Sequence, residues 1–446
     1  MSAMQSFLKF ISFENLENWS VKDKLNKNKF SSSYKIVKLS YVLDDLTNQR
    51  KIKLLDDVEY QEPTISSKTN TIIVRKKAYG KDFKVKNRIE IKRGDLVIAK
   101  LHTQNGLFAF ANDYFTSTTT FIPFAFDNEK ITKDYLFLIL KICLKYLSSN
   151  DTVGRETYKT TDILNLKIPL PSPKQQEEIL QKYNAKIELA KQQEQEAKEI
   201  EESIEEYFNT QIGIEVNSVE EKSNSFLSFI NYMELEKWGV DKNLTQSNIK
   251  YTKKFPIKTI KDLCQIGSGG TPSRSHKEYY TGNIPWIKTG EVVNDIIYDT
   301  EEKITQEAID KSSAKLYLKD SLIIAMYGQG LTRGRTAKLG VDATTNQACA
   351  VLYNIDNTII DTDYLWFYMM NEYHRLRALA SGNNQPNLNA EMIKNYKVVI
   401  PDLKLQKEIV EEIIKRKEKI KQLKQEAQKN REEAIKEFER EIFDEA

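Results

Sequence analysis

Residues 6–21 read SFLKFISFENLENWSV and residues 225–240 read SFLSFINYMELEKWGV, with nine identities in sixteen ungapped positions. Self-similarity on this scale constrains the fold before any local propensity does. A second echo follows at an offset of 230, where TDILNLKIPLPSPKQQEEIL (161–180) answers EMIKNYKVVIPDLKLQKEIV (391–410). Pro171 then aligns with Pro401, Gln176 with Gln406, Glu178 with Glu408 and Ile179 with Ile409. The middles share only fragments, such as GDLVIAK (94–100) against DSLIIAM (320–326). The order is frame, middle, helix, written twice. Two copies are too few for a solenoid. They predict a pseudo-dimer on one chain with approximate two-fold symmetry.

The segments after Pro171 and Pro401 read as long helices, because proline just ahead of a helical pattern is a start signal. Ile409, Ile413, Arg416, Ile420, Leu423, Ala427, Asn430 and Ala434 recur at alternating steps of four and three, with Phe438 after them. Ile179, Tyr183, Lys186, Ala190, Gln193, Ala197, Ile200 and Ile204 do the same, with Phe208 after them. A period of 3.5 is a coiled-coil seam. Each helix is expected to run about 55 Å, at 1.5 Å per residue. Neither seam is apolar throughout, so antiparallel pairing of the two is expected. We take Ile179, Tyr183, Ile204, Phe208, Ile409, Ile413, Leu423 and Phe438 as the partner-binding coil, with its flanks offered to helices of other proteins. A generic solvated charged helix is the plainer alternative.

The middles read as α/β globules. TIIVRK (71–76), DLVIAK (95–100), TTFIPFAF (119–126), LIIAMY (322–327) and ACAVLY (348–353) suit strands. Helices are expected after Asp134 and Asp363, each with that carboxylate as its N-cap.

Composition narrows the function classes. With 40% hydrophobic residues the chain can build real cores, and 446 residues suit several domains. Cys143, Cys264 and Cys349 form no CxxC pair, and His102, His276 and His374 show no metal-ligand spacing. No apolar run is long enough to span a bilayer, so a cytoplasmic protein without a membrane is expected. No P-loop and no adenine-methyltransferase motif occurs, so the chain reads as non-catalytic. The net charge of +3 is unevenly spread: residues 20–150 hold 24 basic against 14 acidic side chains. Residues 174–206 hold five lysines against ten glutamates. Basic charge gathered in the globular part points to a nucleic-acid partner. Two matched frames carrying different readers suit the two halves of a bipartite DNA site.

GSGGTPSRSHKEYYTGNIPWIKTGEV (267–292), TNQACAVL (345–352), GNNQPNLN (382–389) and VIPDLKLQKEIV (399–410) occur in this order. With them the chain resembles the specificity subunits of type I restriction–modification systems along nearly its whole length. The first middle departs from the pattern, for it lacks the GGTPS phrase. The resemblance implies an α+β fold: two globular α/β target recognition domains joined by two long antiparallel coiled-coil helices. The boundaries expected are 1–171, first domain with its frame segment; 172–212, first spacer helix; 213–224, linker; 225–401, second domain; 402–446, second spacer helix. It further implies double-stranded DNA as ligand and two methyltransferase subunits held on the spacers. Motor-nuclease subunits would join through the complex. No cofactor would be bound by this chain; S-adenosylmethionine, ATP and magnesium would serve the partner subunits. A coiled-coil scaffold that ignores DNA, or a recognition module split from a fused restriction–methylation enzyme, are the competing readings.

Base contacts usually come from Arg or Lys to guanine and from Asn or Gln to adenine. In the first middle the candidates are a phosphate-facing strip of Arg75, Lys76, Lys77, Lys81, Lys84, Lys86 and Arg88, with Asn105, Asn112 and Thr116–Thr119 at base edges. A solvated lysine face is the alternative. In the second they are Gly270, Thr271, Ser273, Arg274, Lys288, Tyr327, Gln329, Arg333, Arg335 and Asn384. The GSGGT run reads as a tight turn, either purely structural or also touching the DNA backbone. Trp19 and Trp238, matched in the two frames, read as packing residues.

Overall fold

A computed structural model describes residues 31–147, 157–216, 249–251, 254–328, 330–380 and 387–444. The opening repeat with Trp19 and Trp238, most of the expected 213–224 linker, Gln329 and Asn384 lie outside the described residues. The chain divides into two compact units, residues 1–192 with 426–446, and residues 193–425. The division falls inside both long helices rather than at their starts.

In the first unit the strands are β1 (Ile36–Lys38), β2 (Leu43–Asp45), β3 (Lys51–Lys53), β4 (Glu59–Ser66), β5 (Thr71–Tyr79), β6 (Asn87–Ile91), β7 (Leu96–Ala99), β8 (Phe108–Phe110), β9 (Phe115–Ser117) and β10 (Phe121–Phe126). Helices α1 (Lys133–Cys143) and α2 (Thr160–Leu164), strand β11 (Lys167–Pro169) and helix α3 (Pro173–Ile212) follow. The sheets run β2-β10-β7-β8 and β3-β6-β9, with β4·β5 and β1·β11 as separate antiparallel pairs. The continuous apolar run Leu96–Ala99 is buried at every position, as a strand covered on both faces must be. Leu96, Ile98, Phe108, Ile122 and Phe124 pack with Leu136, Ile139 and Leu140 of α1.

The second unit holds β12 (Ile214–Val216), β13 (Ile249–Tyr251), β14 (Ile257–Thr259), β15 (Gln265–Ser268), β16 (Ile284–Ile287), β17 (Ile296–Ile297), β18 (Lys303–Ile304) and α4 (Gln306–Asp310). After these come β19 (Leu322–Ala325), β20 (Thr336–Leu339), β21 (Thr344–Thr345), β22 (Cys349–Tyr353), α5 (Thr362–Asn371), α6 (Tyr373–Leu379), α7 (Ala390–Lys394), β23 (Lys397–Val399) and α8 (Leu403–Ile442). A five-stranded sheet runs β15-β22-β19-β20-β17, beside the smaller sheet β18-β16-β21.

The expected strands are present, but the helix caps differ. Thr132, not Asp134, caps α1 by accepting from the Tyr135 amide. Asp361, not Asp363, caps α5 by accepting from the amides of Asp363 and Tyr364. A cap must lie outside the first turn, where its side chain can turn back to the free N–H groups. Asp134 and Asp363 sit inside that turn, and Asp363 instead holds Lys338 at 2.6 Å.

The aligned glutamines do the same work in each unit. Gln176 accepts from the Thr132 amide (2.8 Å) and donates to the carbonyls of Lys130 (2.8 Å) and Pro171 (2.9 Å). Gln406 accepts from the Asp361 amide (2.7 Å) and donates to Ile359 (3.1 Å) and Pro401 (2.8 Å). Both side chains are fully buried, so each amide has to be satisfied within the protein. Tyr135 donates to the Pro169 carbonyl and Tyr364 to that of Val399. Strand β1 pairs β11, and β14 pairs β23, in the corresponding places.

Both long helices span 40 residues. In the first unit Lys182 pairs Glu441 (3.0 Å), and Lys186 reaches Glu437 (2.8 Å) and Glu433 (3.1 Å). Numbers rise on α3 as they fall on α8, so the two run antiparallel there. In the second unit Lys424 pairs Glu201 (3.0 Å), and Arg416 donates to the Ser203 carbonyl and hydroxyl while lying over the Tyr207 ring. The polar interruptions at Lys186 and Arg416 therefore carry specific partners. Phe438 and Ile442 enter the core of the first unit, and Phe208 and Ile212 that of the second.

Candidate nucleic-acid interface

The basic strip of the first middle splits into engaged and free cations. Lys77 is held by Glu59 (2.8 Å), and Lys86 by Asp56 (2.7 Å) and the Gly80 carbonyl (2.7 Å). Lys76 donates to the Asp82 carbonyl and lies over the Phe83 ring. Arg88 does not belong to an exposed strip. It is 6% exposed, also lies over the Phe83 ring, and donates to the carbonyls of Val85 and Thr116. Strand β6 places it on an inward face, where Glu62 (3.7 Å) compensates its charge. Arg75, Lys81 and Lys84 remain exposed; the Lys81 ammonium lies over the Tyr79 ring, and its amide donates to the Asp56 carbonyl. The lysine or arginine count alone carries no sign of this division, which depends on Glu59 of the paired strand β4, Asp56 of the preceding turn and Glu62 beside β6.

Asn105 is exposed in the turn between β7 and β8, flanked by left-handed His102 (φ 55°) and Gly106 (φ 71°). Asn112 is exposed between β8 and β9. Thr116 is not a base-edge residue: β9 buries it completely, along with Ser117.

In the second middle the GSGGT run is a packing device. A Cβ at Gly269 would come within 1.8 Å of the Thr345 carbonyl oxygen, and one at Gly270 within 2.3 Å of the Ser313 hydroxyl. Gly270 is buried, donates to the Thr345 carbonyl and accepts from the Trp286 indole. The close approach is to the chain's own backbone, and both the N–H and the carbonyl of buried Gly270 are taken up inside the protein rather than offered to DNA. Thr271 and Ser273 are exposed beside it, bonded to Gln347 and Ser275.

Arg274 and Lys288 form one compensated cluster. Arg274 pairs Glu302 (2.5 Å) over the rings of Tyr280 and Trp286; Lys288 pairs Glu301 and Glu302, each at 2.9 Å. These carboxylates raise the Lys288 ammonium to about 12, and the two cations hold Glu302 below the usual range. Two cations face two anions, leaving no uncompensated charge for a phosphate.

Tyr327, Arg333 and Arg335 occupy the loop between β19 and β20, with Tyr327 exposed. Arg377 of α6, which the sequence did not single out, holds this loop. Its guanidinium donates to the carbonyls of Arg333 (2.8 Å) and Gly330 (2.8 Å), and the Tyr373 hydroxyl donates to that of Leu331 (2.7 Å). Burial and the neighbouring Arg377 charge lower the Arg333 pKa. Separations of more than forty residues left no sequence signal for this brace.

The partner-coil residues lie inside the chain. Ile179, Phe208, Ile409, Ile413, Leu423 and Phe438 are buried, and Tyr183 and Ile204 half-buried. Among the described residues no cluster could hold a metal ion, and no helix is long and apolar enough to cross a membrane.

The type I restriction modification DNA specificity domain model matches twice, over residues 31–199 and 252–431. The specificity subunit of the type I restriction enzyme MjaIX from Methanocaldococcus jannaschii is 28% identical over 167 residues, which are 36% of this chain and 37% of that protein. The EcoR124I/EcoR124II specificity subunit of Escherichia coli is 26% identical over 156 residues, 34% of this chain and 39% of that protein. Each alignment thus spans well under two thirds of its relative. Among solved structures, a chain from a study of complex assembly and conformational transition of the type I R-M system has a TM-score of 0.59 at 15% identity. It covers 94% of this chain and 100% of that one. The HsdS subunit from Thermoanaerobacter tengcongensis has a TM-score of 0.50 at 15% identity, covering 94% and 99%. With both middles and the adjoining parts of both long helices matched by one model, the chain belongs to the type I restriction–modification DNA specificity domain family, as a specificity subunit.

Proposed function

We propose that this chain reads a bipartite, asymmetric double-stranded DNA site, one middle per half-site, for an adenine methyltransferase and restriction complex in the cytoplasm. The two long helices act as an antiparallel coiled coil that sets the gap between half-sites, within a pseudo-two-fold frame. Two methyltransferase subunits dock on the outer faces of these helices, because the seam residues are taken up within the chain. Motor-nuclease subunits join through them. S-adenosylmethionine, ATP and magnesium serve those partners, and this chain performs no chemistry.

The carrying observation is the matched lock at Gln176 and Gln406 beneath two dissimilar middles. One frame holding two different surfaces is what a reader of two unlike half-sites requires. The test is affinity of the complex with its methyltransferase for genomic duplexes across a salt series. Preference for one bipartite sequence is expected, with affinity falling steeply with salt through counterion release. Equal retention of specific and scrambled duplex refutes the reading. Exchanging residues 240–390 for the middle of another family member should alter one half of the methylated motif and leave the other.

A further inference from the structure

Among the described residues, strands β4 and β5 form a two-stranded ribbon that is hydrogen-bonded into no larger sheet. Its register pairs Glu62 with Lys76 but Pro63 with Val74, so Arg75 has no opposite residue. Such a bulge breaks the alternation of faces and re-aims a side chain. The consequence is visible in exposure. Ile73 and Val74 are 51% and 45% exposed, and Arg75, Lys76 and Lys77 follow them to the surface. Simple alternation would bury every second one of the five. Pro63 opposite the bulge has no N–H to offer a ladder bond.

The ribbon is nevertheless held firmly. Tyr60 packs with Leu54 and Phe83, and Ile72 with Ile91, Val97 and Phe115. Its turn is anchored by Asn70 (φ 50°), whose side chain donates to the carbonyls of Gly106 (2.5 Å) and Phe108 (3.0 Å). Lys76 and Lys77 are tied to Asp82 and Glu59. The Arg75 side chain has no hydrogen bond, ion pair or ring contact among the described residues, although it stands on this support. An uncompensated guanidinium beside exposed aliphatic side chains matches a guanine edge next to thymine methyl groups. A two-stranded ribbon fits the major groove of B-form DNA.

We propose that the β4–β5 ribbon enters the major groove of one half-site and that Arg75 is a specificity-determining residue there, donating to guanine O6 and N7. The inference rests on the proposed reading of DNA and deepens it. The full chain, assembled with its methyltransferase, is titrated with its preferred duplex and with duplexes substituted at each position of both halves. Arg75→Ala is expected to weaken binding to the preferred duplex by about 5- to 150-fold, the range for losing one bidentate pair. Preference should relax at one guanine of one half-site only, with the other half unchanged. Arg75→Lys, which keeps the charge and loses the fork, should relax the same position with less loss of affinity. Lys84→Ala should weaken all duplexes alike. An Arg75→Ala protein that binds as wild type, or loses affinity equally on every duplex, overturns the assignment while the wild-type preference stands. A wild-type complex with no preference would sink the underlying reading instead. Unchanged hydrogen-exchange protection of β4 and β5 in Arg75→Ala separates lost contact from lost fold; protection lost there attributes the effect to folding and counts against the assignment.

Discussion

Replacing Gln406 by alanine tests how each long helix is fastened to its globular middle. The side chain makes three hydrogen bonds, to the Asp361 amide and to the carbonyls of Ile359 and Pro401, and is fully buried. Removing it takes the partner from three backbone groups, of which the Pro401 carbonyl is buried and the Asp361 amide and Ile359 carbonyl are part-buried. At a net value of roughly 1 kcal/mol per bond, the local opening free energy falls by about 3 kcal/mol. Amide exchange around the start of α5 and the start of α8 should then quicken by roughly 100-fold. Hydrogen-exchange mass spectrometry of the full chain reads this segment by segment, which global melting of a chain this long does not. All three partners belong to the second unit, so peptides covering 130–135 should keep wild-type protection. Gln176→Ala should give the mirror result, loosening 130–135 and sparing 359–364. Gln406→Glu adds a sign. A neutral acid there donates one bond, whereas the anion donates none and faces two carbonyls. Its folded-state pKa is thus raised, and its stability should be greatest at low pH and fall as pH rises through that value. Unaltered exchange at 359–364 in Gln406→Ala, or equal loosening of both segments, refutes the reasoning.

Phe438 fills the core of the first unit against Tyr135 and Tyr183; Phe438→Ala should cost about 3–5 kcal/mol, read as lowered denaturant resistance of peptides from residues 31–147. Glu372 is buried against Arg375 and Tyr396, and burial raises its carboxyl above the usual range. The second unit should lose stability as pH rises from the acid side through that raised pKa, and Glu372→Gln should flatten this slope in pH-dependent unfolding. Arg377→Ala should release the loop between β19 and β20 by about 2 kcal/mol. Limited proteolysis near residues 330–334 should speed up while β19 and β20 stay protected.

The two long helices and their entries were legible because they are written in local order. Pro171 and Pro401 announce the helices, and a 3.5-residue period marks one face of each, every position of which is buried or half-buried. The strands showed through runs such as Leu96–Ala99, because apolar β-branched stretches leave few other choices. The caps were misplaced by two residues, since Asp134 and Asp363 look like caps until the first turn is fixed in space.

The candidate interface was far less legible, and the reason is electrostatic. Whether a cation is free depends on which acids stand within about 4 Å, and folding decides that across long separations. Lys288 and Arg274 meet Glu301 and Glu302, Arg88 turns inward to Glu62, and Arg377 closes on a loop more than forty residues away. Arg75 is singled out by a change of strand register, which composition cannot express. The sequence by itself determined that there are two plans, two long helices and a basic first middle, because periodicity and repetition are properties of chain order. Only the tertiary structure decided which charges are spent inside the protein and which remain for a ligand, because pairing is a property of distance.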